Sequence, residues 1–395
     1  MRILDLSIWV QGPLAAMMLA DLGADVIKIE MPGIGDFARG AKSIFGRSQE
    51  LSDGRMLMFE IANRNKRGIS IDLRHPAGRE AFYKLVLKSD ALVTNLHPSA
   101  LAEFRVDRKT LTEINPDLIY AHATGYGPAG PAALDPCQDT TGMARSGFMF
   151  NAPAKDGSPI YQIGTLSDVL SGTMLAFAVV TAFLNRERWG HTLGAVCSQL
   201  SAMMWLQYYC IAQYANTGNT FIPHDRANAA NPLVNIYRCS DGKWIACGMF
   251  LSQRFVWKEF CELMRIPEAG MNPCYQDDAG RNQHNRELIS LLDAAFARRP
   301  RSEWENAFRA KGYWSSVIND LPDLTSDPQV LANDYLSSSE SGLKTVSYPF
   351  SLQGTVLPKP KDAPTFGRDT DAVLEELAGY TKEQILQLKT EGAVW

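Results

Sequence analysis

The chain lacks every spacing that marks a structural metal site or a disulfide scaffold. Its seven cysteines (137, 197, 210, 239, 247, 261, 274) and six histidines (75, 97, 122, 191, 224, 284) form no Cys-x-x-Cys, His-x-x-x-His or His-Glu-x-x-His pattern. Scattered thiols of this kind fit a reduced, cytoplasmic protein, and no metal is expected. A P-loop and a Gly-x-Ser-x-Gly elbow are also missing, which removes the phosphate-cradling and serine-hydrolase readings those motifs carry. Charge of one sign is scarce too: 39 Lys+Arg against 43 Asp+Glu leave a net charge of -4. Such a balance gives no general attraction to nucleic acid or anionic membrane, so neither is an expected partner, and a polyanionic ligand would need a local basic cluster. No leader pattern is present, since Asp5 comes early and the apolar stretch 14–20 stops at Asp21. The uncharged run 169–185 is about 17 residues, at the short limit for crossing a bilayer. It contains Ser171, Gly172, Thr173 and Thr181 and is expected to be a buried helix.

What is there has the texture of a large mixed protein. At 395 residues the chain is longer than one core normally supports, which predicts a large domain and a smaller one. Over 1–125, short β-rich runs (2–6, 24–30, 68–73, 91–96, 118–124) alternate with helical ones (13–22, 76–89), the mark of parallel βαβ units and an α/β sheet. In the run 68–73, Ile69, Ile71 and Leu73 are expected on one face and Ser70 and Asp72 on the other. Helices are predicted at 138–147, 169–187 and 198–215, with a strand near 191–196. A strand pair follows at 233–239 and 243–249, turning at Ser240-Asp241-Gly242, and then helices at 253–264, 286–297 and 302–311. The expected division is 1–200 for the amino-terminal part of a large α/β domain and 201–224 for a linker. A small α+β domain then covers 225–325, and 326–395 returns to the large domain, closing with helices over 369–378 and 382–389.

Three constellations could carry chemistry. Asp168 stands between the glycine-bearing stretch 163–167 and the long uncharged helix, a place for a helix cap or for a nucleophile. A carboxylate is ionised at neutral pH without a helper base, free N–H groups after it would serve an oxyanion, and Gly172 would let a thin substrate approach. The basic run Arg64, Lys66, Arg67, with Arg74 one strand later, is either a phosphate site or a solvated strand end, and Arg39 is a weaker candidate. The literal Gly-x-Gly-x-x-Gly at Gly125–Gly130 does not fit a dinucleotide turn, because Pro128 and Pro131 remove donors and no helix opens after it. These glycines are expected in a loop near the strand ends.

Read together, 3–6, Gly12-Pro13, 19–30 and Asn65 through Leu73 resemble the class III CoA-transferases, the CaiB/BaiF family that includes formyl-CoA transferase. The likeness continues through 95–98, Asn115-Pro116, 125–127, Ser167-Asp168, 184–187 and 374–377. It implies a Rossmann-like large domain built from both chain ends, a smaller α+β domain and an interlocked homodimer. It also implies Asp168 as a catalytic aspartate that attacks an acyl-CoA, forms a mixed anhydride and then an aspartyl-CoA thioester, and passes CoA to an acceptor carboxylate. No permanently bound cofactor is implied; coenzyme A and acyl-CoA are substrates. The CoA positions carry over onto Gln11, Leu73, Arg74, Asn95, Leu96 and His97, with Arg105 the nearest cation to Glu103, where many members place a basic residue; Arg39 and Gln138 are further candidates for holding CoA. The segment from Asn231 to Ile245 looks most like the enzymes that move CoA among 2-hydroxy acids and their enoyl products. Met143, Phe148, Met149, Phe150, Met203, Trp205 and Tyr208 are either their apolar pocket or core.

Two alternatives stand beside transfer. The family's α-methylacyl-CoA racemases use the same aspartate with a histidine about thirty residues upstream and a glutamate in the small domain. Here Gln138 occupies the histidine's place and 247–253 has no carboxylate, so a second titratable group is missing there. The other alternative is a CoA-binding protein without turnover, in which Asp168 only caps its helix.

Overall fold

The computed structural model describes all residues except 152, 153, 155, 221, 222 and 250–254. Contacts divide the chain into two compact units, Met1–Phe221 with Asp334–Trp395, and Ile222–Asn333.

The first unit is built on a six-stranded sheet. Its strands are β1 (Arg2–Leu6), β2 (Asp25–Glu30), β3 (Arg67–Ser70), β4 (Ala91–Thr94), β5 (Ile119–Thr124) and β6 (Ala195–Ser198). They lie in the order β3-β2-β1-β4-β5-β6, every neighbouring pair parallel. This is the doubly wound order, in which the chain runs outward one way and then the other, leaving a crevice beyond the carboxyl ends of β1 and β4. Both faces are covered, so Ser70 is buried along with Ile69 and Ile71. The alternation expected at 68–73 therefore gives way to the two-sided burial of a parallel strand.

Helix α1 (Gln11–Asp21) follows β1, and α2 (Pro76–Val86) packs with the sheet core. The two helices α3 (Asp139–Arg145) and α4 (Leu166–Trp189) lead to the last strand, after which α5 (Gln199–Leu206) and α6 (Tyr208–Thr217) replace the single helix expected over 198–215. Gly172 lies where α4 crosses α1. A Cβ there would come within 2.6 Å of the Gln11 carbonyl oxygen and 2.9 Å of Leu14 Cδ2. Its small size serves helix packing, not the substrate approach expected of it. The 24-residue α4 is long and apolar enough to cross a membrane. One side instead carries Leu175, Ala176 and Val179 into the core shared with α1, while Phe177, Val180 and Leu184 are exposed.

The carboxyl-terminal segment returns to the edge strand. Asp369 accepts from Gly68 N–H at 2.7 Å, Thr370 Oγ1 from Ser70 N–H at 3.0 Å, and the Ala393 carbonyl from Asp72 N–H at 2.9 Å.

The second unit is an antiparallel sheet of β7 (Val234–Arg238) and β8 (Trp244–Gly248), with β9 (Ser315–Ile318) as the third strand. Helices α7 (Trp257–Met264), α8 (Asn285–Phe296) and α9 (Arg301–Lys311) supply its aromatic core. Tyr237 and Phe296 stack at 4.6 Å, and Trp304 and Phe308 pack beside them. Residues 253 and 254 of the helix expected over 253–264, and 250–253 of the segment read as lacking a carboxylate, lie outside the described residues.

Candidate active site

A cavity of about 750 Å³ opens beyond the carboxyl ends of the sheet. The chain leaving β1 supplies Trp9 and Gln11, that leaving β4 supplies Asn95, Leu96 and His97, and that leaving β5 supplies Thr124, Gly125 and Gly127. Gln199, the first residue of α5, arrives from β6, and Cys137, Gln138, Asp139 and Asp168 complete this side.

Several of these polar groups first hold the loops in place. The Asn95 amide accepts from Ile8 N–H at 2.9 Å and donates to Ile8 C=O at 2.7 Å, tying the two loops at the switch in strand order. Gln11 donates to the Thr124 carbonyl at 3.2 Å, and His122 meets the Leu96 carbonyl at 3.1 Å. His97 caps the short helix Pro98–Glu103: its Nδ1 takes the Ser99 N–H at 3.3 Å, and its Nε2 faces the Leu134 carbonyl at 3.2 Å. Burial pulls the His122 imidazole below its ordinary range, against the pull of its hydrogen bond to the Leu96 carbonyl.

Asp168 is not the cap of its helix. Helix α4 begins at Leu166 after Thr165, whose φ of 57° places a β-branched residue in the left-handed region. Such a conformation is strained, and it sits three residues before the carboxylate. Capping comes from another helix: Asp139 Oδ1 accepts from Ser167 N–H at 2.7 Å and from Asp168 N–H at 3.1 Å. Asp139 Oδ2 is buried with no hydrogen-bond partner among the described residues. The Val169 N–H donates to Thr165 C=O at 2.9 Å. The amides around Asp168 are thus engaged, and the free oxyanion donors expected there are not present. One Asp168 oxygen, Oδ1, accepts from Gln199 Nε2 at 2.5 Å. Burial first, and then the neighbouring Asp139 carboxylate, push Asp168 up to about 7 against the opposing pull of that amide.

Asp168, Gln11, Asn95, Leu96, His97 and Gln138 are brought together around the cavity; Arg39, Leu73, Arg74 and Arg105 are not among its lining residues. Arg39 forks onto Glu30 at 2.8 Å and lies 3.6 Å over the Phe59 ring. Leu73 is fully buried in the sheet core, Arg74 pairs with Asp72 at 2.9 Å, and Arg105 is exposed at a φ of 56°. The basic run 64–67 is a structural cluster. Arg64 pairs with Asp21 at 2.6 Å, Lys66 with Asp5 at 2.7 Å, and Arg67 with Asp25 at 2.7 Å. The proposed apolar pocket residues also lie elsewhere: Met143 and Met203 are fully buried, while Phe150, Trp205 and Tyr208 face outward, and none lines the cavity. Its apolar wall is Trp9, Ile44, Phe45, Met58, Leu96 and Leu134.

The profile of CoA-transferase family III matches residues 1–370. The chain belongs to that family. This family III CoA-transferase is 29% identical over 403 residues to succinyl-CoA:glutarate CoA-transferase of Mus musculus, covering 100% of this chain and 89% of the mouse protein. It is equally 29% identical over 401 residues to (R)-2-hydroxy-4-methylpentanoate CoA-transferase of Clostridioides difficile, covering 100% and 98%. The crystal structure of a CaiB/BaiF family protein from Brucella suis has a TM-score of 0.84, covering 95% of this chain and 98% of that one at 24% identity, a match of fold. The protein is accordingly an enzyme of the CoA-transferase class, acting on acyl-CoA.

Sequence reasoning missed Asp139, Cys137 and Gln199. Asp139 was visible as the acidic residue opening the helix predicted at 138–147. Gln199 carried a weaker signal, one amide at a strand-to-helix turn where Ser198 and Ser201 form a capping box.

Proposed function

We propose that this enzyme moves CoA from an acyl-CoA to a free monocarboxylic acid through covalent intermediates on Asp168. The observation that carries the reading is a cavity-facing carboxylate with one oxygen fixed by Gln199, at the carboxyl edge of a doubly wound sheet. Asp168 attacks the thioester carbonyl, the C–S bond breaks, and CoA leaves as thiolate, giving a mixed anhydride. The thiolate then attacks the aspartyl carbon and expels the donor acid, leaving an aspartyl-CoA thioester. An acceptor carboxylate attacks that carbon in turn, the C–S bond breaks to release the thiolate and leave a second mixed anhydride, and attack of the thiolate on the acceptor carbonyl forms the new acyl-CoA and frees the Asp168 carboxylate. No net oxidation or reduction occurs.

The wall composition supports a medium-sized 2-hydroxy or enoyl monoacid, in line with what the clostridial relative's name says of that protein. Trp9, Phe45, Met58 and Leu134 offer apolar surface, and Asp135, Asp139 and Asp168 make the polar side acidic. A second carboxylate on the acceptor would meet like charge there. Incubation with acyl-CoA and hydroxylamine is expected to inactivate the enzyme and leave a hydroxamate on the Asp168 peptide, read by mass spectrometry. In a thioester-exchange panel, 2-hydroxy and enoyl monoacids are expected to outrun glutarate and succinate about tenfold or more. An unmodified Asp168 in an active enzyme, or dicarboxylates as the best acceptors, would sink the reading.

The exposed apolar side of α4, with Phe177, Val180 and Leu184, and the stacked pair Trp205 and Tyr208 on α5 and α6 support a homodimer that covers these surfaces. Light scattering should give a dimer mass at micromolar concentration, and Phe177→Glu with Trp205→Glu should yield monomer. A monomeric native protein would contradict this assembly.

A further inference from the structure

The amide that holds Asp168 is itself held. Gln199 is buried, its Nε2 donates to Asp168 Oδ1 at 2.5 Å, and its Oε1 accepts from the Cys137 thiol at 2.9 Å. A thiol proton directed at Oε1 leaves the amino end of the amide facing the carboxylate. Two glycines make room for this chain of contacts. A Cβ on Gly142 would come within 2.7 Å of Gln199 Cβ and 2.8 Å of its Oε1, and a Cβ on Gly125 would come within 2.1 Å of Cys137 Cβ. Gly142 thus lies against the Gln199 side chain and Gly125 against the thiol that meets it.

We propose that Gln199 is the positioning residue of this site: its amide pins one oxygen of Asp168 and presents the other to the acyl carbonyl, while the Cys137 thiol sets which way the amide points. The role rests on Asp168 acting as nucleophile. A hydrogen bond to the ionised carboxylate stabilises the attacking form and fixes its plane, so losing it should raise the carboxyl's proton affinity and loosen its aim. Hydrogen bonds to charged groups are strong enough to move such a titration by about 1–2 pH units.

The test is a titration of Asp168 by 13C-aspartate NMR, assigned with Asp168→Asn, alongside pH profiles of thioester exchange. Gln199→Leu is expected to move the Asp168 midpoint up by about one unit or more, shift the acid limb of kcat/KM by the same amount, and lower kcat about 10- to 100-fold. The KM for acyl-CoA should move less than about threefold, because the contact is not to substrate. Gly142→Ala, which keeps every functional group but displaces the amide, should shift the midpoint in the same direction. Cys137→Ser, which retains a donor, should keep more of the rate than Cys137→Ala. Should Gln199→Leu not fold, the isosteric Gln199→Glu and Gly142→Ala carry the test. An adduct on Asp168 with unshifted midpoints in these variants overturns the role of Gln199 alone. No adduct in the unaltered enzyme overturns the nucleophile and the role with it.

Discussion

Asp168→Asn is expected to lose CoA transfer by about a thousandfold or more and yet to be the more stable protein at pH 8. The loss follows from chemistry: an amide cannot form the anhydride or the aspartyl thioester. The gain follows from where the carboxylate sits. Burial and the Asp139 carboxylate raise Asp168 from 3.8 to about 7. The folded state therefore holds this proton more tightly than the unfolded chain. The stability it contributes is complete below 3.8 and is lost as pH rises through about 7. A shift of about three units corresponds to about 4 kcal/mol at most. Asp168 is open on its cavity side, so solvent screening brings the expected gain down to about 1–3 kcal/mol. Asparagine keeps an Oδ1 to accept from Gln199, so the contact itself survives. Denaturation of both proteins from pH 4 to pH 8 should give curves that meet at the acid end and separate through neutrality. The same ionisation controls rate, with kcat/KM expected to rise about tenfold per pH unit below the midpoint and to level off above it. A variant no more stable at pH 8 than at pH 4, relative to the unaltered enzyme, would contradict the raised carboxyl.

The parts of this molecule that were legible in sequence are those set by local periodicity. The alternation over 2–124 specified parallel βαβ units, and β1 was placed to the residue. The site was legible only where one residue advertised itself. Asp168 stood out because a lone carboxylate opens a long uncharged helix, but its cap comes from Asp139, 29 residues away in sequence. Gln199 approaches Asp168 from 31 residues away, through a strand crossing that no local pattern encodes. Gly172 is opaque in sequence for a related reason: its Cβ space is filled by α1, so its meaning is a tertiary contact. The basic run 64–67 misled because sequence shows cations but not the buried carboxylates that meet them.

Lys66 is the sharpest case of that error, and Lys66→Met is expected to cost about 3–5 kcal/mol of stability. Its ammonium is fully buried. It donates to Asp5 Oδ2 at 2.7 Å, Asn63 Oδ1 at 2.7 Å, and the Pro13 and Ala62 carbonyls at 2.8 and 2.9 Å. Burial pulls it down to about 8, against the attraction of Asp5. Lys28 Nζ lies 3.9 Å from the same Asp5 oxygen, pairs with Asp36 at 2.8 Å and also donates to the Ser7 carbonyl. Asp36 in turn accepts from Trp9 N–H at 3.0 Å, so this buried network reaches the loop that walls the cavity. Methionine preserves the stem and removes the ammonium, leaving Asp5 with the more distant cation and two carbonyls without their donor. Burial already works to raise Asp5, and in the native protein Lys28 and Lys66 outweigh it. With Lys66 gone Asp5 should take up a proton more readily, so the deficit should shrink as pH falls from 8 to 5. Asp5→Asn added to Lys66→Met should recover a good part of the loss, since the pair is coupled. A phosphate-binding lysine predicts the opposite pattern: unchanged stability, a raised KM for acyl-CoA, and a KM that loses its salt dependence. Thermal denaturation and KM measured on one preparation separate the two, and a stable Lys66→Met enzyme with weakened acyl-CoA binding would return the basic run to the substrate.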